Sequence, residues 1–141
     1  MGQHAEYGKN LVANVAEGQF TDDWGTTLVQ YQGGTSAHID GVVGDNCAIE
    51  IESRVDKQIR GALVDLVLHH CSKRLIILIP VHMNDPQKTK EQCEDILNKL
   101  KRPTDEVRVV LLRGTGDDSK PEEDKALIRA ALLDLGAIKP Q

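Results

Sequence analysis

Aromatic side chains are scarce in this chain: one tryptophan, one phenylalanine and two tyrosines, 3% of the residues. Proteins that hold single-stranded nucleic acid stack bases on such rings, so this scarcity argues against base-stacking platforms for single strands. Positive charge is also lacking. The formal net charge is −5, whereas proteins that grip DNA through many phosphates are basic. Acidic clusters that hold divalent ions would push the balance in the observed direction. Only three cysteines occur, Cys47, Cys71 and Cys93, far apart and without a CxxC pair, which gives neither a disulfide framework nor a structural zinc motif. His69-His70-Cys71 ends an apolar helical pattern. Adjacent helical residues point roughly 100° apart, so a helix-end role is expected there and not a shared ion. The longest apolar run, residues 75–81, is too short to cross a bilayer. The first residues are polar and carry His4, Glu6 and Lys9, without a secretory pattern. A cytoplasmic protein that does not engage membranes is expected.

What is present is an ordinary globular composition, 40% hydrophobic and 28% charged over 141 residues. That suits one domain, residues 1–141, with a sizeable core. Helical spacing of Leu11, Val12, Val15 and Ala16 predicts a first helix over 5–16, stopped by Gly18. Residues 19–25 read as a loop, 26–32 as a strand closed by Gly33-Gly34, and 37–43 as a second strand. Gly44-Asp45-Asn46 is a turn, and 47–53 returns as a third strand. A helix follows over 54–70, with Val55, Ile59, Ala62, Leu63, Leu66 and Val67 on one face. The unalternating run at 75–81 suits a strand covered on both sides. Asn84-Asp85-Pro86 caps a helix reaching about Lys101. A strand at 106–113 and a last helix, from Ser119-Lys120-Pro121 to near Gly136, complete the order. The expectation is an α/β fold, a mixed sheet flanked by helices.

The stretch HIDGVVGDNCAIEIES, residues 38–53, carries the chemistry. A turn centred on Asp45 pairs residues whose numbers sum to 90: Ile39 with Ile51, Gly41 with Ile49, Val43 with Cys47. Strand side chains repeat every two residues. The opposite face then gathers Asp40 across from Glu50, and His38 across from Glu52. Like charges facing each other in a sheet are destabilising. Protonation, a nearby Arg or Lys, open water or a divalent cation could each offset this. Mg²⁺ takes oxygen ligands and is commonly held by one or two carboxylates with water and phosphate.

The element order and these residues resemble the PD-(D/E)XK nuclease superfamily, which includes restriction endonucleases, over about residues 4–82. The resemblance implies a restriction endonuclease-like α-β-β-β-α-β core with an added C-terminal helix-strand-helix. It also implies Mg²⁺ or Mn²⁺ as cofactor, DNA as substrate and a homodimer as the working unit. Asp40 stands as the family's first acidic ligand and Glu50 as its second. Glu52 stands where Lys is usual, as in some restriction endonucleases, and Ile39 replaces the preceding proline. On this resemblance Asp40, Glu50 and Glu52 are the expected metal ligands. Glu52 would accept a proton from water or complete a second metal position. The assisting cation would be Lys57, although a solvated helix face suits that residue better, with Arg54 and Gln58 also at that helix start. Glu6 resembles an extra acid sent from the first helix, or simply favours the helix dipole. His38 would orient water or phosphate, or pair with Glu52.

Two other readings stand beside this one. The first is a catalytically inactive nuclease-fold domain for binding or assembly, suggested by Val64 and Leu68 widening the apolar surface of the helix over 54–70. The second is a small-molecule α/β domain, with Arg113-Gly114-Thr115-Gly116-Asp117-Asp118 as a phosphate-binding turn after a strand.

Overall fold

The apolar run after His70 forms the middle of a sheet, as its lack of alternation predicts. The computed structural model describes residues 3–114 and 120–140. Its elements are α1 (Gln3–Ala16), β1 (Phe20–Thr21), α2 (Trp24–Thr27), β2 (Leu28–Gln30), β3 (Ser36–His38), β4 (Gly41–Val43), β5 (Cys47–Glu52), α3 (Lys57–Leu68), β6 (Lys73–Leu78), α4 (Pro86–Leu100), β7 (Glu106–Leu111) and α5 (Pro121–Asp134). A 3-10 turn, Pro80–His82, follows β6. Five strands form a mixed sheet in the order β1-β4-β5-β6-β7. The β1–β4 and β4–β5 pairs are antiparallel; β5–β6 and β6–β7 are parallel. Helices α3 and α4 carry the two parallel crossovers, which need connections longer than a turn. The fold is therefore a mixed α/β sheet with flanking helices.

Period-two alternation along β6 divides the core. Leu75 and Ile77 join Ile49, Ile51, Leu11, Val15, Ile128 and Leu132 under α1 and α5. Ile76 and Leu78 join Val42, Ala48, Ile59, Leu63, Cys93 and Leu97 under α3 and α4. Helix α1 lies close on β5 because Gly8 has no side chain. A Cβ there would sit 2.6 Å from Ile51 Cγ2.

The end of α3 is fixed by a buried cation. Arg74, at the start of β6, donates to the carbonyls of Leu66, Val67 and His69 and pairs with Asp105 at 2.5 Å. These are carbonyls a helix terminus leaves without partners. Arg102 donates to the same Asp105 carboxylate at 2.9 Å. Burial alone would raise the Asp105 pKa, but the hydrogen bonds from Arg102 and Arg74 outweigh it and hold that carboxyl below its usual range.

Four expectations need correction. The loop at 19–25 contains β1, which forms one edge of the main sheet. The strand expected over 26–32 begins as helix α2, and only Leu28–Gln30 is extended. The strand expected over 37–43 is two strands, separated at Ile39 and Asp40. β2 and β3 form a separate two-stranded sheet, so the three strands expected before α3 do not lie in one sheet.

Candidate functional site

The hairpin register is the expected one. Gly41 lies opposite Ile49, Val42 opposite Ala48, and Val43 opposite Cys47. Beyond Gly41 the ladder changes character. Asp40 N–H still donates to Ile49 O at 3.1 Å, but side chains take over the remaining exchange. Glu50 accepts from the same Asp40 amide at 2.8 Å, and Asp40 Oδ2 accepts from Ile51 N–H at 2.7 Å. Each carboxylate thus holds the other strand's backbone. This reciprocal hold fixes both headgroups at the point where β4 leaves the sheet. Ile39, expected beside Ile51, instead packs with Val29 and Val42 on the α3 side, because the chain turns at Ile39–Asp40.

Every residue of β5 is buried, Glu50 and Glu52 included. Placing two carboxyl groups in a strand covered on both faces carries a desolvation cost that needs specific partners. For Glu50 the response is protonation. Burial first, and the charge of Asp40 second, push its pKa up to about 10. Burial also raises Asp40, opposed by the Ile51 amide and the charge of Lys9. For Glu52 the response is an ion pair. Arg54 Nη2 lies 2.8 Å from Oε1, while its Nε and backbone N–H reach Oε2 at 2.9 and 2.8 Å.

These groups open onto a cavity of about 610 Å³, whose lining includes His4, His38, Asp40, Glu50, Glu52 and Arg54. Helix α3 contributes Gln58, Gly61, Ala62 and Asp65. That is the i, i+3, i+4, i+7 stripe of one helical face. Asp65 is bonded to the Tyr31 hydroxyl, and its charge adds to the pressure on Glu50.

Comparison of the chain with protein-family models, with curated proteins and with solved structures returned no match. The site must be read from its own chemistry.

Asp40, Glu50, Glu52, His38 and Gln58 all line the one cavity. Lys57 is exposed in the first turn of α3 and does not line it. Arg54 supplies the positive charge there instead. Glu6 is exposed on α1, where His4 and Ala5 are the residues that reach the cavity. His38 is not paired with Glu52, whose partner is Arg54; its Nδ1 lies 2.9 Å from Thr27 Oγ1. Asp65 was not singled out from the sequence, although a lone acid inside the apolar stretch ALVDLVL is a readable signal. The site offers oxygen donors from Asp40 and Glu50, which suits a hard divalent cation.

The His69-His70-Cys71 cluster brings its donor atoms within 4.8 Å of one another. Residues 69–71 lie beyond the last turn of α3, so the helical separation expected for them does not apply. Their chemistry is structural all the same. His69 Nε2 lies 2.8 Å from Thr26 O and its Nδ1 takes the Cys71 amide at 3.2 Å, so both ring nitrogens are used. Burial also raises the Cys71 thiol pKa. In the turn after β7, the N–H groups of Arg113 and Gly114 are given to Asp124 at 2.7 and 2.9 Å. Those two amides are committed to an internal carboxylate rather than to a phosphate. Residues 115–118 of that expected turn, with Ser119 of the expected helix cap, lie outside the described residues.

Proposed function

We propose that this chain is a divalent-metal-dependent nucleic-acid phosphodiesterase, an endonuclease of the PD-(D/E)XK type acting on DNA. One observation carries the reading: Asp40, just before β4, and Glu50, in the antiparallel β5, each bond the backbone of the other's strand segment and open together onto one cavity. Raised carboxyl pKa values clustered in a cleft are a recognised mark of functional sites. Asp40 and Glu50 would hold Mg²⁺ or Mn²⁺. Bound there, the ion supplies charge neutralisation at a scissile phosphate and a lowered pKa for water. The chain's own groups do the rest. Arg54, exposed over most of its side chain and tied to Glu52, presents a planar cation suited to phosphate. It takes the part the family gives to the lysine missing at position 52. Glu52 orients Arg54. His38 and Gln58 stand along the cavity wall as hydrogen-bonding groups for substrate.

The test is calorimetric titration of Mg²⁺ and Mn²⁺ into the native chain, Asp40→Ala and Glu50→Ala, followed by cleavage assays on plasmid, branched DNA and RNA. Binding to the native chain that both variants lose, with cleavage following the same pattern, is expected. Native protein that neither binds metal nor cuts any of these substrates in excess metal would refute the proposal. That result would favour the inactive assembly domain, for which Val64 and Leu68, exposed on α3, supply apolar surface.

A further inference from the structure

Trp24 is the single tryptophan of the chain, and at 68% exposure it is the most exposed large apolar side chain described. It is held firmly nonetheless. Helix α2 carries it for only four residues, but the backbone around it is tied from several sides. Thr26 and Thr27 donate to Asp23 O at 3.0 Å, and Ile39 N–H reaches Thr27 O at 3.0 Å. His69 Nε2 meets Thr26 O at 2.8 Å, and Thr27 Oγ1 meets His38 Nδ1 at 2.9 Å. The indole packs on His38 with ring centroids 5.2 Å apart and a tilt of 52°. His38 in turn lines the cavity of Asp40 and Glu50, two residues before Asp40. An exposed indole on a braced turn, leaning on a ring of the cavity wall, is preorganised to receive a flat partner.

We infer that Trp24 is a stacking platform for a nucleobase beside the scissile phosphate at the metal site of Asp40 and Glu50; this rests on the phosphodiesterase reading. None of the described exposed aliphatic residues, Val64, Leu68, Leu100 and Leu133, is on α2 itself, although Leu68 precedes His69, which bonds Thr26 O. The neighbour of Trp24 is an imidazole at a polar cavity. That setting favours a base, apolar on its faces and polar at its edges, over an aliphatic protein surface. The low aromatic content argues against an extended platform, and a single ring is all that is proposed here. It positions a single nucleotide and is not a track for a long strand.

With one tryptophan, the emission of the native protein reports on this position alone. A short single-stranded oligodeoxynucleotide and an abasic strand of equal length are titrated in Ca²⁺, used in place of Mg²⁺ to slow hydrolysis. Tryptophan emission and the anisotropy of a dye on the strand are followed together. Expected are quenching by the base-bearing strand but not by the abasic one, and binding weakened about tenfold or more in Trp24→Leu. Trp24→Phe retains part of the affinity. Binding seen by anisotropy without quenching, or undiminished in Trp24→Leu, overturns the stacking role and leaves the phosphodiesterase reading to its cleavage assay. A loss of self-association in Trp24→Leu with strand affinity unchanged overturns it in favour of a protein contact. No binding by either readout, together with no cleavage in Mg²⁺ or Mn²⁺, overturns both.

Discussion

Replacing Glu50 by glutamine is expected to make the metal-free protein more stable. Glu50 is buried in β5 and keeps its proton to about pH 10, against 4.5 in the unfolded chain. Below pH 4.5 both states are protonated and the residue carries no pH penalty. As pH rises above that, the unfolded state ionises while the folded state must retain a proton, and stability falls until the folded pKa is passed. At about 1.4 kcal/mol per pH unit, the interval from 4.5 to 7 amounts to about 3.5 kcal/mol. Water in the adjoining cavity reduces this, so about 2 kcal/mol is the expected gain for Glu50→Gln at neutral pH. The glutamine carbonyl can still accept from the Asp40 amide, so the packing is preserved.

Urea unfolding followed by circular dichroism, in chelator and at a series of pH values, measures this directly. The advantage of the variant should vanish near pH 4.5 and widen as pH rises. A variant less stable than native at neutral pH, or a gap that does not change with pH, would refute the reasoning. Added Mg²⁺ supplies the complementary arm. A ligand at about a hundred times its Kd stabilises the native fold by about 2.7 kcal/mol, and glutamine at position 50 should abolish that gain. A residue whose removal stabilises the fold while abolishing metal binding is one held for function.

Other consequences follow from the same geometry. Arg54→Ala leaves the buried Glu52 carboxylate without its ion pair and should lower stability by about 1–3 kcal/mol; Arg54→Lys, unable to span both oxygens, should recover only part in thermal unfolding. Gly8→Ala forces a Cβ against Ile51 and should cost about 1–3 kcal/mol by overpacking. Gly61→Ala enters open space on α3 and should add about 0.5–1 kcal/mol; denaturant midpoints of the pair test both signs. Asp105→Asn breaks the pair with fully buried Arg74 and should cost about 3–5 kcal/mol. The depressed Asp105 pKa means this contribution is present above pH 3.8 and lost as pH falls through the folded value, so acid unfolding of the variant should be flatter.

The parts of the fold legible in the sequence were those written locally. The run at 75–81 announced a covered strand, and Asp85-Pro86 announced α4, where the Asp85 side chain does accept from Lys88 N–H at 3.2 Å. The 44–46 turn set the hairpin register. What was not legible depended on contacts distant in sequence. β1 is two residues long and is a strand only because β4 lies beside it. Thr26 and Thr27 have strand propensity, yet they belong to a helical turn tied to His38 and His69. The break at Ile39–Asp40 was hidden because alternation continues through it in sequence. Its cause is the Asp40 carboxylate, which takes the Ile51 amide that a carbonyl of a continued β4 would otherwise receive.

The local order at the end of β5 also sets a cation beside the buried acids. The order Glu50-Ile51-Glu52-Ser53-Arg54 sets a guanidinium two residues beyond the second buried acid. The strand ends at Glu52, which frees Arg54 to fold back over the carboxylate it follows. A lysine at 52 would have to reach the cavity from inside the sheet, where burial opposes its charge. A carboxylate at 52 instead stays buried in the sheet with the mostly exposed Arg54 as its ion-pair partner. In the fold, the pair keeps a cation at the cavity mouth and shares the desolvation between a buried acid and an exposed base.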